Sequence, residues 1–263
     1  MNFLTNHQCD ALRTLRETWA ADEILVVGAA ALRYRLGHEW RETHDLDLSI
    51  VTSIESHVVV LANLPGWERD SRQEQRWMAP HDVRIDIVPA SAELVAAGEL
   101  VWPGTDFRMS LVGFQLAFEQ GDFAEVAAGV SVLVASLPAI IVLKMAAYLD
   151  RPAAREKDLE DLAVILERGV RADDEGRYSD QVFDAGLSYE EAGPFVLGQR
   201  IAAVAGEDER KLVSDFIRSA QNPDVAPFIL ERLAALGPAT WSRDVAEANL
   251  RLQAFKSGFD SGG

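Results

Sequence analysis

Two aspartates alternate with apolar residues in "THDLDLSI", residues 43–50. Because residues two apart on a β-strand point to the same face, Asp45 and Asp47 would hold their carboxylates close together. Like charges at that separation repel unless a cation lies between them, and Mg²⁺ prefers such oxygen ligands. The spacing therefore indicates either a magnesium site or, more simply, a half-exposed edge strand with solvated acids.

A third aspartate, Asp86, lies in the middle of "VRIDIVP", residues 83–89. Its neighbours Ile85 and Ile87 should face a core, so Asp86 should point to the opposite side. If this strand pairs with residues 43–50, three carboxylates share one side of a sheet and can hold two metal ions for in-line nucleotidyl transfer. The sequence leaves open an ion pair with Arg84 or plain solvent exposure.

A glycine separates a strand from a helix in "ILVVGAAALRYRLG", residues 24–37. The β-branched run 24–27 predicts a buried strand, and the following alanines predict a helix that Gly37 ends. Glycine at the junction allows close approach of a ligand, and the amides of Gly28 and Ala29 would face an anion such as phosphate. The alternative is an ordinary strand-ending glycine.

A lysine and two aspartates follow in the second half of the chain. Lys144 interrupts the apolar helix "AIIVLKMAAYL", where it either extends to solvent or reaches triphosphate oxygens. Asp158 and Asp161 are three residues apart in "REKDLEDL", and Lys157 can pair with Asp161 along the helix. The alternative for this segment is a solvated helix surface.

Together, these motifs resemble the nucleotidyltransferase superfamily that includes DNA polymerase β, and most closely its AbiEii/AbiGii-type toxins. The resemblance covers residues 24–166 and rests on the order of the motifs. They are the Gly28 turn, the R-x-T-x-D-x-D-L form at Arg41, Thr43, Asp45, Asp47 and Leu48, and the downstream series Lys144, Arg151, Lys157, Asp158 and Asp161.

The resemblance implies Mg²⁺-dependent transfer of a nucleoside monophosphate from an NTP, such as ATP, to an acceptor hydroxyl. The implied metal ligands, for two ions, are Asp45, Asp47 and Asp86, of which Asp86 also helps to deprotonate the hydroxyl. The amides of Gly28 and Ala29 would cradle the phosphates. Lys144 would neutralise triphosphate charge, and Asp158 would orient the triphosphate or the acceptor.

One position departs from the family pattern. Ala29 stands where the superfamily usually has glycine or serine, so one hydroxyl contact to phosphate is missing. A non-catalytic nucleotide-binding or toxin–antitoxin interaction module therefore remains an alternative. The acceptor is left open among tRNA, another RNA, a protein and a small molecule, as is an antitoxin partner.

The elements around these residues predict an α/β (α+β) fold, a mixed sheet flanked by helices and followed by a helical C-terminal region. We expect a nucleotidyltransferase core at residues 1–170 and a helical domain at 171–263. A hairpin is predicted with arms 75–78 and 83–88, and residues 54–66 fit either helix or strand. Helices are predicted at 8–20, 189–205, 207–220, 225–236 and 243–256, with a frayed tail.

Composition narrows the classes of partner. The 263 residues carry a formal net charge of −17, which disfavours nucleic acid and anionic membranes unless a basic groove exists, for example at Arg33, Arg35 and Arg41. The longest apolar run, "LPAIIVL", is too short to span a bilayer. Cys9 is the single cysteine, so no intrachain disulfide can form, and we expect a soluble cytoplasmic protein.

Overall fold

A computed structural model of the chain describes residues 3–37, 45–235 and 244–262. The chain divides into two compact units, Met1–Ile140 and Ile141–Gly263. The sequence predicts the domain boundary 30 residues later, between residues 170 and 171. Which segments fold independently stays a prediction.

The first unit is built on a mixed β-sheet. Its described strands are β1 (Ile24–Val26), β2 (Asp45–Ile50), β3 (Glu68–Arg69), β4 (Arg76–Ala79), β5 (Val83–Pro89), β6 (Glu99–Val101), β7 (Arg108–Ser110), β8 (Asp122–Ala127) and β9 (Val130–Val134). Its described helices are α1 (Asn6–Arg16), α2 (Gly28–Leu36), α3 (Ile54–Ala62), α4 (Ala92–Ala97) and α5 (Phe114–Glu119). Seven of these strands form one sheet in the order β3-β4-β5-β2-β1-β9-β8, and β6 pairs with β7 in a second. The predicted α/β class with a mixed sheet is confirmed.

The centre of the sheet carries the acidic strands. Strand β2 runs antiparallel to β1 and parallel to β5, and β4 and β5 form the predicted hairpin. A single 3₁₀ turn, Pro80–Asp82, connects its arms. Leu46 and Leu48 of β2 and their neighbours on β5 are completely buried, so the alternate positions of both strands face away from this core.

Local capping explains where the first helices begin. In α1, Thr5 accepts a hydrogen bond from the Gln8 amide at 3.2 Å, while the Gln8 side chain accepts one from the Thr5 amide at 2.9 Å. Cys9 on this helix is buried, and its thiol donates to the Val126 carbonyl at 3.2 Å. The sequence of residues 54–66 fitted either a helix or a strand. In the structure this segment begins with helix α3, which Ser53 caps.

The second unit is helical. Helix α6 (Leu137–Asp150) continues into it from the first unit. The helices that follow are α7 (Glu156–Arg168), α8 (Asp180–Asp184), α9 (Tyr189–Val204), α10 (Glu207–Gln221), α11 (Ala226–Ala235) and α12 (Val245–Ser261). The predicted helical C-terminal region is confirmed.

The prediction of a frayed tail is wrong, because α12 continues to Ser261 and packs closely on α9. A side chain added at Gly258 would overlap the Phe195 carbonyl of α9, and one added at Gly198 would overlap the Phe255 carbonyl of α12. These glycines let the two backbones touch, and the contact orders the end of the chain.

Within the described ranges, we find no helix that has both the length and the apolarity needed to cross a bilayer.

Candidate active site

The three aspartates predicted to act together lie on two neighbouring parallel strands. Asp47 of β2 is the direct partner of Asp86 on β5, and Asp45 is the partner of Arg84. The residues between them are buried, so the charged residues share the opposite face of the sheet. The expected pairing of the two strands is therefore confirmed, and it removes the alternative in which Asp86 lies far from Asp45.

Two arginines contact these carboxylates. Arg76 of β4 donates from Nε to Asp86 Oδ1 and from Nη2 to Asp86 Oδ2, both at 2.7 Å. Arg84 donates from Nε to Asp45 Oδ1 at 2.5 Å. We call Asp45, Asp47, Asp86, Arg76 and Arg84 the carboxylate–arginine cluster. The hydrogen bonds to Asp86 raise the pKa of Arg76 against the opposing effect of burial, and the charge of Asp45 raises it further.

Sequence reasoning missed one of these arginines and gave the other a different partner. It considered an ion pair between Arg84 and Asp86, but Arg84 pairs with Asp45 across the parallel strands. Arg76 was missed, although the predicted hairpin already contained the signal. A turn centred on residue 81 places residue 76 opposite residue 86, which is the observed register.

The Gly28 turn packs directly against the cluster. Gly28 begins α2 with a φ of +62°, and a side chain there would overlap Asp47 Oδ2 and lie 2.7 Å from its Cγ. The Val27 amide donates to the Asp47 carbonyl at 3.0 Å, which fixes β2 beside the turn. The first amides of a helix lack intrahelical partners, so those of Gly28 and Ala29 begin a helix end suited to an anion.

The chemistry of the acidic face suits a hard cation. Its three candidate ligands are all carboxylates, and oxygen-only ligand sets favour Mg²⁺ over zinc. In the part of the chain that the structure describes, no group of three or more histidine, cysteine, aspartate or glutamate side chains converges as a ready metal centre. The arginine contacts to Asp45 and Asp86 are one physical reason, because they hold oxygens that a metal ion would need.

Two further predictions from the sequence concern residues that are not members of this cluster. Arg41 and Thr43 of the R-x-T-x-D-x-D-L form lie outside the described residues. Arg35, one of the arginines considered for a basic groove, donates to the carbonyls of Val134 and Ala135 and pairs with Asp122 at 2.6 Å. Arg35 therefore ties α2 to the edge of the sheet.

The second unit contains Lys144, Asp158 and Asp161, which we call the buried lysine triad. Lys144 Nζ donates to Asp161 Oδ2 at 2.5 Å and to Asp158 Oδ1 at 3.1 Å. Only 7% of the lysine side chain is exposed, and none of the Asp161 side chain. Burial opposes the charged form of Lys144, but the two carboxylates outweigh it and raise the pKa of the ammonium above its ordinary value.

One oxygen of this triad has no hydrogen-bond partner among the described residues. It is Asp158 Oδ2, which is buried, and Arg155 Nη1 lies 3.9 Å from it, beyond hydrogen-bond range. A buried acceptor without a donor is costly in free energy and is often found where function requires it. Lys157, which was expected to pair with Asp161, is exposed.

A mixed sheet with a D-x-D strand, an aspartate on the adjacent strand and a glycine turn packed against Asp47 is the arrangement that the sequence analysis expected of a nucleotidyltransferase. The family described as "Nucleotidyl transferase AbiEii toxin, Type IV TA system" matches residues 10–224, and the chain belongs to that family. The resemblance drawn from the motifs is thereby confirmed, and so is enzymatic nucleotidyl transfer. A search of curated proteins found no match.

Proposed function

We propose that this nucleotidyltransferase uses Mg²⁺ to transfer a nucleoside monophosphate from an NTP to an acceptor hydroxyl. The observation that carries the proposal is the register that sets Asp47 beside Asp86, with Asp45 on the same face and Gly28 against Asp47. Mg²⁺ bound by these three carboxylates would neutralise charge that develops on the transferring phosphoryl group.

The proposed reaction is an in-line substitution at the α-phosphorus. The acceptor oxygen forms a bond to that phosphorus, the bond from it to the oxygen bridging to the β-phosphate breaks, and pyrophosphate leaves. Asp86 takes the hydroxyl proton, a task for which carboxylates serve as general bases. The amides of Gly28 and Ala29 hold phosphate oxygens, and the missing side chain at Gly28 supports this role because it lets the turn lie directly against Asp47, a proposed metal ligand.

Lys144 is proposed to neutralise charge on the triphosphate. Asp158 is proposed to orient the triphosphate or the acceptor. The support for Asp158 is its buried and unsatisfied oxygen, which is an acceptor for a hydroxyl or an amino group. For Lys144 the support is narrower. Two of its three N–H donors are already bound to carboxylates, so one donor is left to contact phosphate.

The family description also supports a biological role. It names toxins of a type IV toxin–antitoxin system, so we propose that this chain is such a toxin and that an antitoxin counteracts it. An NTP substrate and a single cysteine support a cytoplasmic location. The strongly acidic composition favours a cationic small molecule or a protein over a long RNA as acceptor, unless a local basic surface binds the RNA.

The test is label transfer from each α-labelled NTP, in Mg²⁺, to RNA, protein and small-molecule acceptors. We expect Asp45→Asn and Asp47→Asn to lower transfer by more than about 100-fold, because a lost metal ligand costs at least as much as a lost supporting contact. Asp10→Asn is the matched control, since Asp10 is exposed on α1 and pairs with Arg13. Wild-type transfer by the Asp45 and Asp47 variants would contradict the metal assignment.

A second measurement separates this proposal from the non-catalytic alternative. Calorimetry would report whether the chain binds NTP in a Mg²⁺-dependent way. Binding that is followed by no transfer to any acceptor would favour an interaction module instead.

A further inference from the structure

Within the five residues of the carboxylate–arginine cluster, two arginines accompany three aspartates. The three aspartates carry three formal negative charges, and Arg76 and Arg84 offset two of them at hydrogen-bond distance. Adjacent like charges on one sheet face would otherwise raise the free energy of the folded chain. The arginines therefore supply the positive charge that, in the proposed reaction, Mg²⁺ would supply.

The two arginines hold their partners with different strength. Arg76 binds both oxygens of Asp86, and the side chains are 17% and 18% exposed. Arg84 makes a single hydrogen bond to Asp45, and these side chains are 41% and 33% exposed. Bidentate and partly buried pairs are the stronger kind, whereas solvent screens the more exposed pair. Asp86 is therefore the carboxylate that is harder for a cation to capture.

A metal ion and these guanidinium groups compete for the same oxygens. Both arginines donate directly to carboxylate oxygens of Asp45 and Asp86, so a cation that coordinates these oxygens competes with them. The displaced guanidinium groups have planar N–H donors that match phosphate oxygens. An incoming triphosphate would bind the guanidinium groups that the metal displaces, so the metal and the nucleotide would each favour binding of the other.

We propose that Arg76, assisted by Arg84, is a positioning residue that competes with free Mg²⁺ for the carboxylates of the cluster. When metal and nucleotide bind together, the Arg76 guanidinium group moves from Asp86 to contact the triphosphate. The inference rests on the proposed function, because it needs Asp45, Asp47 and Asp86 to be the metal ligands. Its consequence is that the metal alone binds weakly and the nucleotide strengthens metal binding.

The first experiment measures binding of Mn²⁺ alone, as a paramagnetic substitute for Mg²⁺, from the spectrum of the free ion. Removing the competitor in Arg76→Gln should tighten Mn²⁺ binding by about tenfold, the scale of a coupling between two sites. Arg84→Gln should tighten it by about threefold, because its ion pair is more exposed and weaker. Arg108→Gln is the matched control. Arg108 is an exposed arginine that pairs with Glu99 on the separate β6–β7 sheet.

The second experiment measures binding of a non-hydrolysable ATP analogue at saturating Mg²⁺. Arg76→Gln should weaken this binding by about tenfold, because a charge-assisted contact to phosphate is lost. A purely structural role of Arg76 would not move metal and nucleotide affinity in opposite directions. Thermal unfolding shows whether Arg76→Gln folds, and Arg84→Gln carries both measurements if it does not.

The outcomes separate this inference from the proposed function. If Asp45→Asn abolishes Mn²⁺ binding but folded Arg76→Gln binds Mn²⁺ no more tightly than wild type, the inference is overturned and the metal site stands. If Asp45→Asn binds Mn²⁺ as wild type does, the metal assignment fails and the inference fails with it. Tighter Mn²⁺ binding together with weaker analogue binding in Arg76→Gln supports the inference.

Discussion

The two units each contain a cluster of carboxylates and cations, and the clusters differ in how far solvent reaches them. In the first unit, the carboxylate–arginine cluster lies on strand faces, and the side chains of Arg84 and Asp45 remain substantially exposed. In the second unit, the buried lysine triad joins α6 to α7 almost without exposed surface. Solvent screens the more exposed ion pair of the first cluster, whereas breaking the buried triad would leave charges where little solvent reaches them.

This difference separates two uses of similar residues. The resemblance to nucleotidyltransferases implied that Lys144 contacts the triphosphate, and the sequence alone also allowed the side chain to extend to solvent. In the structure, two carboxylates bind the ammonium where little solvent reaches it, so the charge of Lys144 is compensated within the triad. Asp45 and Asp86 instead contact arginines on a sheet face, where the Arg84–Asp45 pair is the more exposed and the Arg76–Asp86 pair is partly buried.

The largest expected effect comes from breaking the buried lysine triad. Lys144→Met removes the ammonium that two buried carboxylates share, so we expect the free energy of unfolding to fall by about 3–5 kcal/mol. Denaturant unfolding measures it. Lys157→Met is the control, because Lys157 is exposed on α7 and should change stability by less than about 0.5 kcal/mol. Unchanged stability of Lys144→Met would mean that the two clusters do not differ as argued.

A smaller effect is expected from the turn that positions the first cluster. Gly28→Ala adds a side chain that overlaps the Asp47 carboxylate at a positive φ, and we expect a loss of about 2–3 kcal/mol in stability. Nucleotidyl transfer should be lost with it, since Asp47 must move. Gly98→Ala is matched in φ, at +69°, but meets nothing within 4 Å, so it should cost only about 1 kcal/mol and leave transfer intact. Equal effects of the two variants on transfer would remove Gly28 from the site.

The effect that is smallest per pH unit is a pH dependence in the first unit. His57 is fully buried, and its Nε2 accepts a hydrogen bond from Trp77 Nε1 at 3.2 Å. Burial, and then the charge of Arg69, lower the pKa of His57 from 6.5 to about 4. The unfolded chain therefore takes up this proton first as pH falls.

Full stability from His57 is present above pH 6.5 and is lost as pH falls toward 4. The free energy of unfolding should fall by up to about 1.4 kcal/mol per pH unit in this window. Denaturant unfolding of wild type and His57→Gln at several pH values tests it. Identical slopes in the two proteins would contradict the assignment. A buried base without a counter-charge thus stays neutral, whereas the buried lysine triad stays charged.

Much of this arrangement could be predicted from local pattern. The alternation of Ile85 and Ile87 gave the side on which Asp86 lies, and the turn at residue 81 gave the hairpin. The predicted start of a helix at residue 189 agrees with α9, where Ser188 and Glu191 form a capping box, which is a signal within four residues. Local chemistry fixes these features, so tertiary packing did not need to be known.

Other features depend on contacts that sequence spacing does not contain. Spacing placed Asp158 and Asp161 on one face of α7, but only packing against α6 decides that this face is buried and binds Lys144. Strands β6 and β7 have three residues each, which is too short for a visible period. Glycines near the C-terminus suggested fraying, although Gly258 allows close helix packing.

The contact between α9 and α12 has an evolutionary consequence. The family match ends at residue 224, yet the helix that touches the backbone of α9 begins at Val245. A relative that carries a larger residue in place of Gly198 or Gly258 must set these helices farther apart and repack both. A larger side chain at either position would therefore press α9 and α12 apart, so a helix beyond the matched range 10–224 helps to set the packing of this chain.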